Sequence, residues 1–171
     1  MSSSFLSTWN SAGGFSGASY LTDGMKSDDI AANVGSSVVE GIKGTAPASA
    51  SGASYDLFKA TYLELFGEEA GIFAENYYDA AMLIGLAMAK AKQNDGTALR
   101  DALREVASAP GTVNGVGEFQ KGLDALAAGE AVNYEGASGP CDFDASDDVS
   151  GPVEIWQFAG GTTTQVRVVA P

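Results

Sequence analysis

A chain of 171 residues with 45% apolar and 18% charged residues has the make-up of a folded protein, in one domain or two small lobes, and not of a disordered one. The net charge of −13, from 22 Asp and Glu against nine Lys and Arg, argues against nucleic acid and anionic membrane surfaces as partners. No histidine is present, so Ser-His and Cys-His nucleophile pairs and most zinc and iron sites are removed at once.

Met1 is followed by three serines rather than by a basic region and an apolar run, so no signal peptide is expected. Ser2 to Trp9 reads as a short amphipathic stub ending at Gly13-Gly14, the tail of an element whose beginning is absent. A strand is expected over Ala18 to Thr22, closed by Asp23-Gly24. Ser27 then caps a helix that opens with Asp28-Asp29 and stops near Gly35. Val38 to Ala46 alternates as a strand would, with Pro47 ending it. Ser54 is the next cap, leading Phe58, Tyr62, Leu65 and Phe66 at helical spacing up to Gly67.

The stretch from Ile72 to Gln93 organises the rest. From Ala80 to Ala89 ten consecutive residues are apolar or glycine, so a helix there is hydrophobic on every side and is expected to be buried. At that length, bracketed by Asp79, Lys90 and Lys92, it does not span a bilayer. Its first turn is different in kind: Phe73 and Tyr77 share a face, with Glu75, Asn76 and Asp79 beside them. That end is either a solvated helix start or a pocket lining. Asp95 or Thr97 starts a further helix with Leu99, Leu103 and Val106 in the core, stopped by Pro110-Gly111. Phe119 to Ala128 gives one more, ended by Gly129. Strands are then expected at Asn133–Gly136, Pro140–Phe143, Val153–Ala159 and Thr164–Val169. Strand and helix alternate in the first half, which indicates α/β layers.

Most catalytic and metal motifs fail on inspection. The run Asp142 to Asp148 opens like a calcium loop but has Asp147 where glycine is needed and Val153 where glutamate is needed, so a solvated turn is the better reading. Ser16 and Ser138 lack the final glycine of a nucleophile elbow, and Gly115-Val-Gly117 lacks the third glycine of a dinucleotide loop. No cofactor, metal or catalytic residue is assigned. Cys141 is alone, either an apolar filler or half of a bridge to a partner elsewhere. The repeated SGASY at Ser16 and Ser51 is a coincidence of composition. What survives is Asp23, at the carboxyl end of a strand, where open α/β sheets bind ligands and where a carboxylate can hold an ammonium group.

The segments YLTDGMKS from Tyr20, VVEGIKGTAPA from Val38, FAENYYDAAMLIGLAMAKA from Phe73, DGTALRDALREVA from Asp95 and NYEGASGPCDFDASDDVSGPVEIWQ from Asn133 resemble, in order, the C-terminal part of the substrate-binding proteins of branched-chain amino-acid ABC transporters. The resemblance implies a truncated three-layer α/β/α fold of the periplasmic binding protein type I kind. Residues 1–71 would belong to the second lobe, 72–150 to the first lobe, beginning with the central crossover helix, and 151–171 to the hinge and return strands. It also implies a small amino-acid or amide ligand, with Asp23 at its α-ammonium, Phe73 covering its side chain and Tyr77 beside it. The parent would work in the periplasm or on the cell surface with a permease partner. Much of the first lobe is missing, so the chain alone is expected to bind ligand weakly or not at all, with apolar faces exposed or covered by a partner. Two rival readings are a self-associating interaction module on the same scaffold and an enzyme using carboxylates alone, such as Asp23 with Glu75.

Overall fold

The computed structural model describes residues 2–14 and 17–170. The elements run α1 (Ser2–Ser11), β1 (Tyr20–Leu21), α2 (Asp28–Val34), α3 (Ser36–Val39), β2 (Lys43–Pro47), α4 (Ala53–Phe66), α5 (Ala74–Ala91), α6 (Gly96–Ala107), β3 (Thr112–Asn114), α7 (Phe119–Ala127), β4 (Val132–Tyr134), β5 (Val153–Ala159) and β6 (Thr162–Val169). The result is the mixed α/β class expected. It forms two compact units, one from residues up to Ala48 with those from Gly151 onward, the other from Ser49–Ser150.

In the first unit, β1 pairs parallel with β2, which pairs antiparallel with β5, and β5 with β6. Alternation along β5 drives Glu154, Trp156 and Phe158 to one face, where the two rings meet edge-on at 5.3 Å. Leu6 of α1, Ile30 and Ala31 of α2 and Val39 of α3 complete that core. Gly44 is required here, because a Cβ at that position would overlap the Trp156 ring. Ser27 caps α2 as expected, its side chain accepting from the Asp29 N–H at 3.3 Å. Val38 and Val39 are helical, not extended. The Gly35 break starts a new helical turn there, and the strand begins only at Lys43. Strand β6 is an edge, paired with β5 alone among the described residues, and it exposes Val166, Val168 and Val169.

In the second unit α5 packs on α6 and α7, and those two cover the parallel pair β3–β4. Leu83, Leu86, Ala87, Ala102, Val106, Ala125, Leu126, Val132, Tyr134 and Cys141 form the core. Helix α6 is capped by Asp95, which accepts from the Ala98 N–H at 2.9 Å; Val106 is fully buried, whereas Leu99 and Leu103 sit at the core's margin. The expectation that α5 is buried on every side is corrected: Ala80, Ala81, Ile84 and Met88 face solvent, because α6 and α7 pack on a single side of the helix. Helix α4 starts from Gly52 rather than Ser54 and ends at Gly67 in the left-handed conformation, φ 72°. It packs through Phe58 on Val116 and Ala137, so the sequence boundary expected at Gly71 falls inside this unit. Pro140 and Phe143 make isolated bridges in place of the expected strand.

Candidate functional site

Asp23 opens a single 3-10 turn, Asp23–Met25, immediately after β1. Because β1 and β2 are parallel, their carboxyl ends lie together there, the edge of an open α/β sheet at which ligands are received. The Asp23 carbonyl accepts from the Lys26 N–H at 2.9 Å, which closes the turn. Its half-buried carboxylate makes no hydrogen bond among the described residues. Lys26 does not neutralise it. That ammonium is committed instead to buried Glu154, which also accepts from the Gln165 amide at 3.0 Å. The turn is thus anchored by one ion pair while its own acid stays free.

Phe73 and Tyr77 lie in the second unit, one turn apart at the start of α5, with the Tyr77 N–H donating to the Phe73 carbonyl at 3.0 Å. Phe73 is the N-cap, and it does so in the left-handed region at φ 68°, a conformation that costs a non-glycine residue roughly 1–3 kcal/mol and concentrates at ligand sites. Phe73 is partly buried and Tyr77 is 75% exposed. The structure brings this pair together; Asp23 belongs to the other unit.

Sequence reasoning treated Asp79 as a polar bracket of the central helix and missed what it holds. Its carboxylate, 3% exposed, accepts from the Tyr134 hydroxyl at 2.8 Å, the Ala137 N–H at 2.8 Å, the Ser138 N–H at 2.7 Å and the Ser138 hydroxyl at 2.6 Å. A side chain at Gly136 would overlap it. The loop after β4 is therefore wrapped around one acid. Burial and the neighbouring Asp79 both push the Tyr134 hydroxyl far above its ordinary range. The signal was available: an ionisable residue at the head of a long apolar helix has to find partners. Cys141 packs in the same core, and burial pushes its thiol up to about 12, in keeping with an apolar filler.

The acidic run folds as a turn, with the Asp144 carboxylate accepting from the Ser146 and Asp148 N–H groups at 2.7 and 3.0 Å; these bonds hold it below the usual carboxylate range. No His, Cys, Asp and Glu cluster of metal-binding size occurs among the described residues. No helix among them is long and apolar enough to cross a membrane.

Residues 2–161 match the family model described as the receptor family ligand binding region. The chain belongs to this family. Among solved structures, the chain is similar to the leucine binding protein LivK from Thermotoga maritima MSB8, matched over 99% of this chain with a TM-score of 0.66 at 20% identity. Another is the branched-chain amino acid transporter substrate-binding protein LivJ from Streptococcus pneumoniae in complex with isoleucine, also matched over 99%, with a TM-score of 0.63 at 16% identity. The fold is therefore that of the type I periplasmic binding proteins. A curated relative, the chemotactic signal transduction system substrate-binding protein BasB of Halobacterium salinarum, is 36% identical over 74 residues, which make up 43% of this chain. The chain spans 41% of the length of either solved structure, and its match to BasB covers 18% of that protein.

Proposed function

We propose that this chain is a truncated form of the solute-binding protein of an ABC importer, whose complete form closes on a small branched-chain amino acid or amide between two lobes. Asp23 takes the ligand's ammonium group, Phe73 covers its side chain and Tyr77 flanks it. The single observation that supports this best is the carboxylate of Asp23 at the carboxyl end of a parallel strand pair, without a partner among the described residues while the adjacent Lys26 is engaged elsewhere. The strained backbone of Phe73 adds to it. The family is one of ligand binding. The complete protein, with its permease partner, would act in the periplasm or at the cell surface.

The relatives supply more chain than is present here, so weak binding is expected. Titration of the labelled chain with leucine, followed by amide NMR shifts, should move Gly24, Met25, Phe73 and Ala74 at high millimolar ligand, and Asp23→Asn should abolish the change. Shifts confined to other residues, or shifts that persist in D23N, would refute the assignment. The self-associating alternative draws on the exposed apolar residues of α4 and α5; a concentration-dependent dimer by sedimentation, indifferent to amino acids, would favour it.

A further inference from the structure

A second feature of the Ser49–Ser150 unit is independent of the amino-acid reading. Helix α4 carries two stripes, Leu57–Thr61–Leu65, apolar but for the Thr61 hydroxyl, and the aromatic Phe58–Tyr62–Phe66, each at i, i+4, i+8 spacing over roughly 12 Å of helix. Only Phe58 of α4 is buried. Between these stripes and Ala74 and Tyr78 of α5 runs an open groove of ≈ 390 Å³. The rings of Tyr78, Phe58, Tyr62 and Phe66 succeed one another along it, with centroids 5.4, 5.8 and 4.6 Å apart. Tyr78 is fixed by accepting the Gly117 N–H at 2.9 Å.

No charged side chain lines the groove, so it does not suit a zwitterionic amino acid. The acids flank it along the chain. Glu64 lies on α4 next to the Leu57–Thr61–Leu65 stripe, and Glu68 and Glu69 follow the helix's C-terminal cap; Asp56, on the far face of α4, is paired with Lys59, the one basic residue of the helix, at 3.2 Å. An apolar centre with a polar rim is the anatomy of a protein interface, and a groove of this kind receives the apolar face of a helix. Charge then selects the occupant. A second copy would bring the same carboxylates and a net charge of −13 to the contact.

We propose that the α4–α5 groove docks an amphipathic helix of a partner protein, apolar on the face that enters the groove and flanked by Lys and Arg that meet Glu64, Glu68 and Glu69. The site goes beyond the amino-acid reading and does not depend on it.

The probe is a fluorescein-labelled synthetic helix of about 18 residues, roughly five turns, with leucines on one face and lysines on the other. A control peptide keeps the leucines and replaces the lysines with glutamates. Fluorescence anisotropy at roughly 0.15 M salt should show saturable binding of the lysine peptide alone. Leu65 is 70% exposed, so Leu65→Asp leaves the fold intact, as circular dichroism should confirm. It adds a negative charge yet should weaken binding at least about tenfold, and Thr61→Trp, which fills the groove, should do the same. Glu64→Lys with Glu68→Lys should also weaken it. Unchanged or tighter binding by L65D would overturn the proposal as charge attraction without docking. So would failure of the lysine peptide to bind, equal binding of both peptides, or a dimer that L65D dissolves while peptide binding persists.

Discussion

Replacing Asp79 by asparagine isolates the buried acid that organises the loop after β4. Four donors converge on it, from Tyr134, Ala137 and twice from Ser138. Asparagine keeps one acceptor oxygen, enough for Tyr134 and Ala137, but sets an amide N–H₂ against the Ser138 N–H. Each of the two retained bonds drops from charge-assisted to neutral strength, a loss of about 1 kcal/mol apiece, and a donor stranded in the interior adds about 1–3 kcal/mol. The sum is about 3–5 kcal/mol, or about 6–20 °C in melting temperature for a chain of this size. Urea unfolding followed by circular dichroism should show the midpoint falling with the slope unchanged. Hydrogen exchange should locate the loss of protection at Ala137 and Ser138. A change below about 1 kcal/mol would refute the reasoning, since it would mean that water, not the loop, satisfies this carboxylate. A double-mutant cycle with Tyr134→Phe should return a coupling energy of at least about 0.5 kcal/mol.

Gly44→Ala forces a methyl group against Trp156 and should cost about 1–3 kcal/mol by thermal denaturation; a neutral result would mean that the ring has room to move. Glu118 is held below its ordinary value of 4.5, first by the Gly115 N–H and then by Lys121. A lowered carboxylate favours the folded state above the ordinary value and loses that benefit as pH falls through the folded one. The Glu118 NMR titration should therefore have its midpoint under 4.5, and Glu118→Gln should flatten the acid limb of stability. The buried Cys141 thiol, pushed up to about 12, should resist a thiol reagent at pH 8 in the folded chain and react at once in denaturant. Its burial favours the folded state below the ordinary thiol value of 9.0, a benefit that fades as pH rises beyond it.

The helix limits were the most legible part of the sequence, because capping is local chemistry: Ser27, Asp95 and Gly67 all sit where their side chains or backbone freedom demand. Strand β3 was missed, since three residues between Gly111 and Gly115 carry too little periodicity, and its pairing with β4 is set by distant chain. Val38 and Val39 read as a strand for want of knowledge that one turn of helix would bury Val39 against Trp156 and Phe158. The solvent-facing side of α5 was invisible for a different reason. Composition tells which residues prefer burial, whereas the partners that bury them come from tertiary structure. Of the site, residue types at Asp23 and Phe73 were readable, but neither the free carboxylate nor the left-handed backbone leaves any trace in a string of letters.

Asp28 of α2 accepts from the Thr163 N–H at 2.7 Å at the start of β6, and beyond it the strand presents an edge dressed with Val166, Val168 and Val169. Such a border invites another chain to zip onto it, and Arg167 is the one charged residue along β6 to blunt that invitation. What keeps molecules apart is the surplus of negative charge over the whole surface, a guard that works at a distance and at neutral pH. Acidify the solution until the carboxylates take up protons and the guard is gone while the border stays. Precipitation with rising β-sheet signal is then expected well before the helices melt.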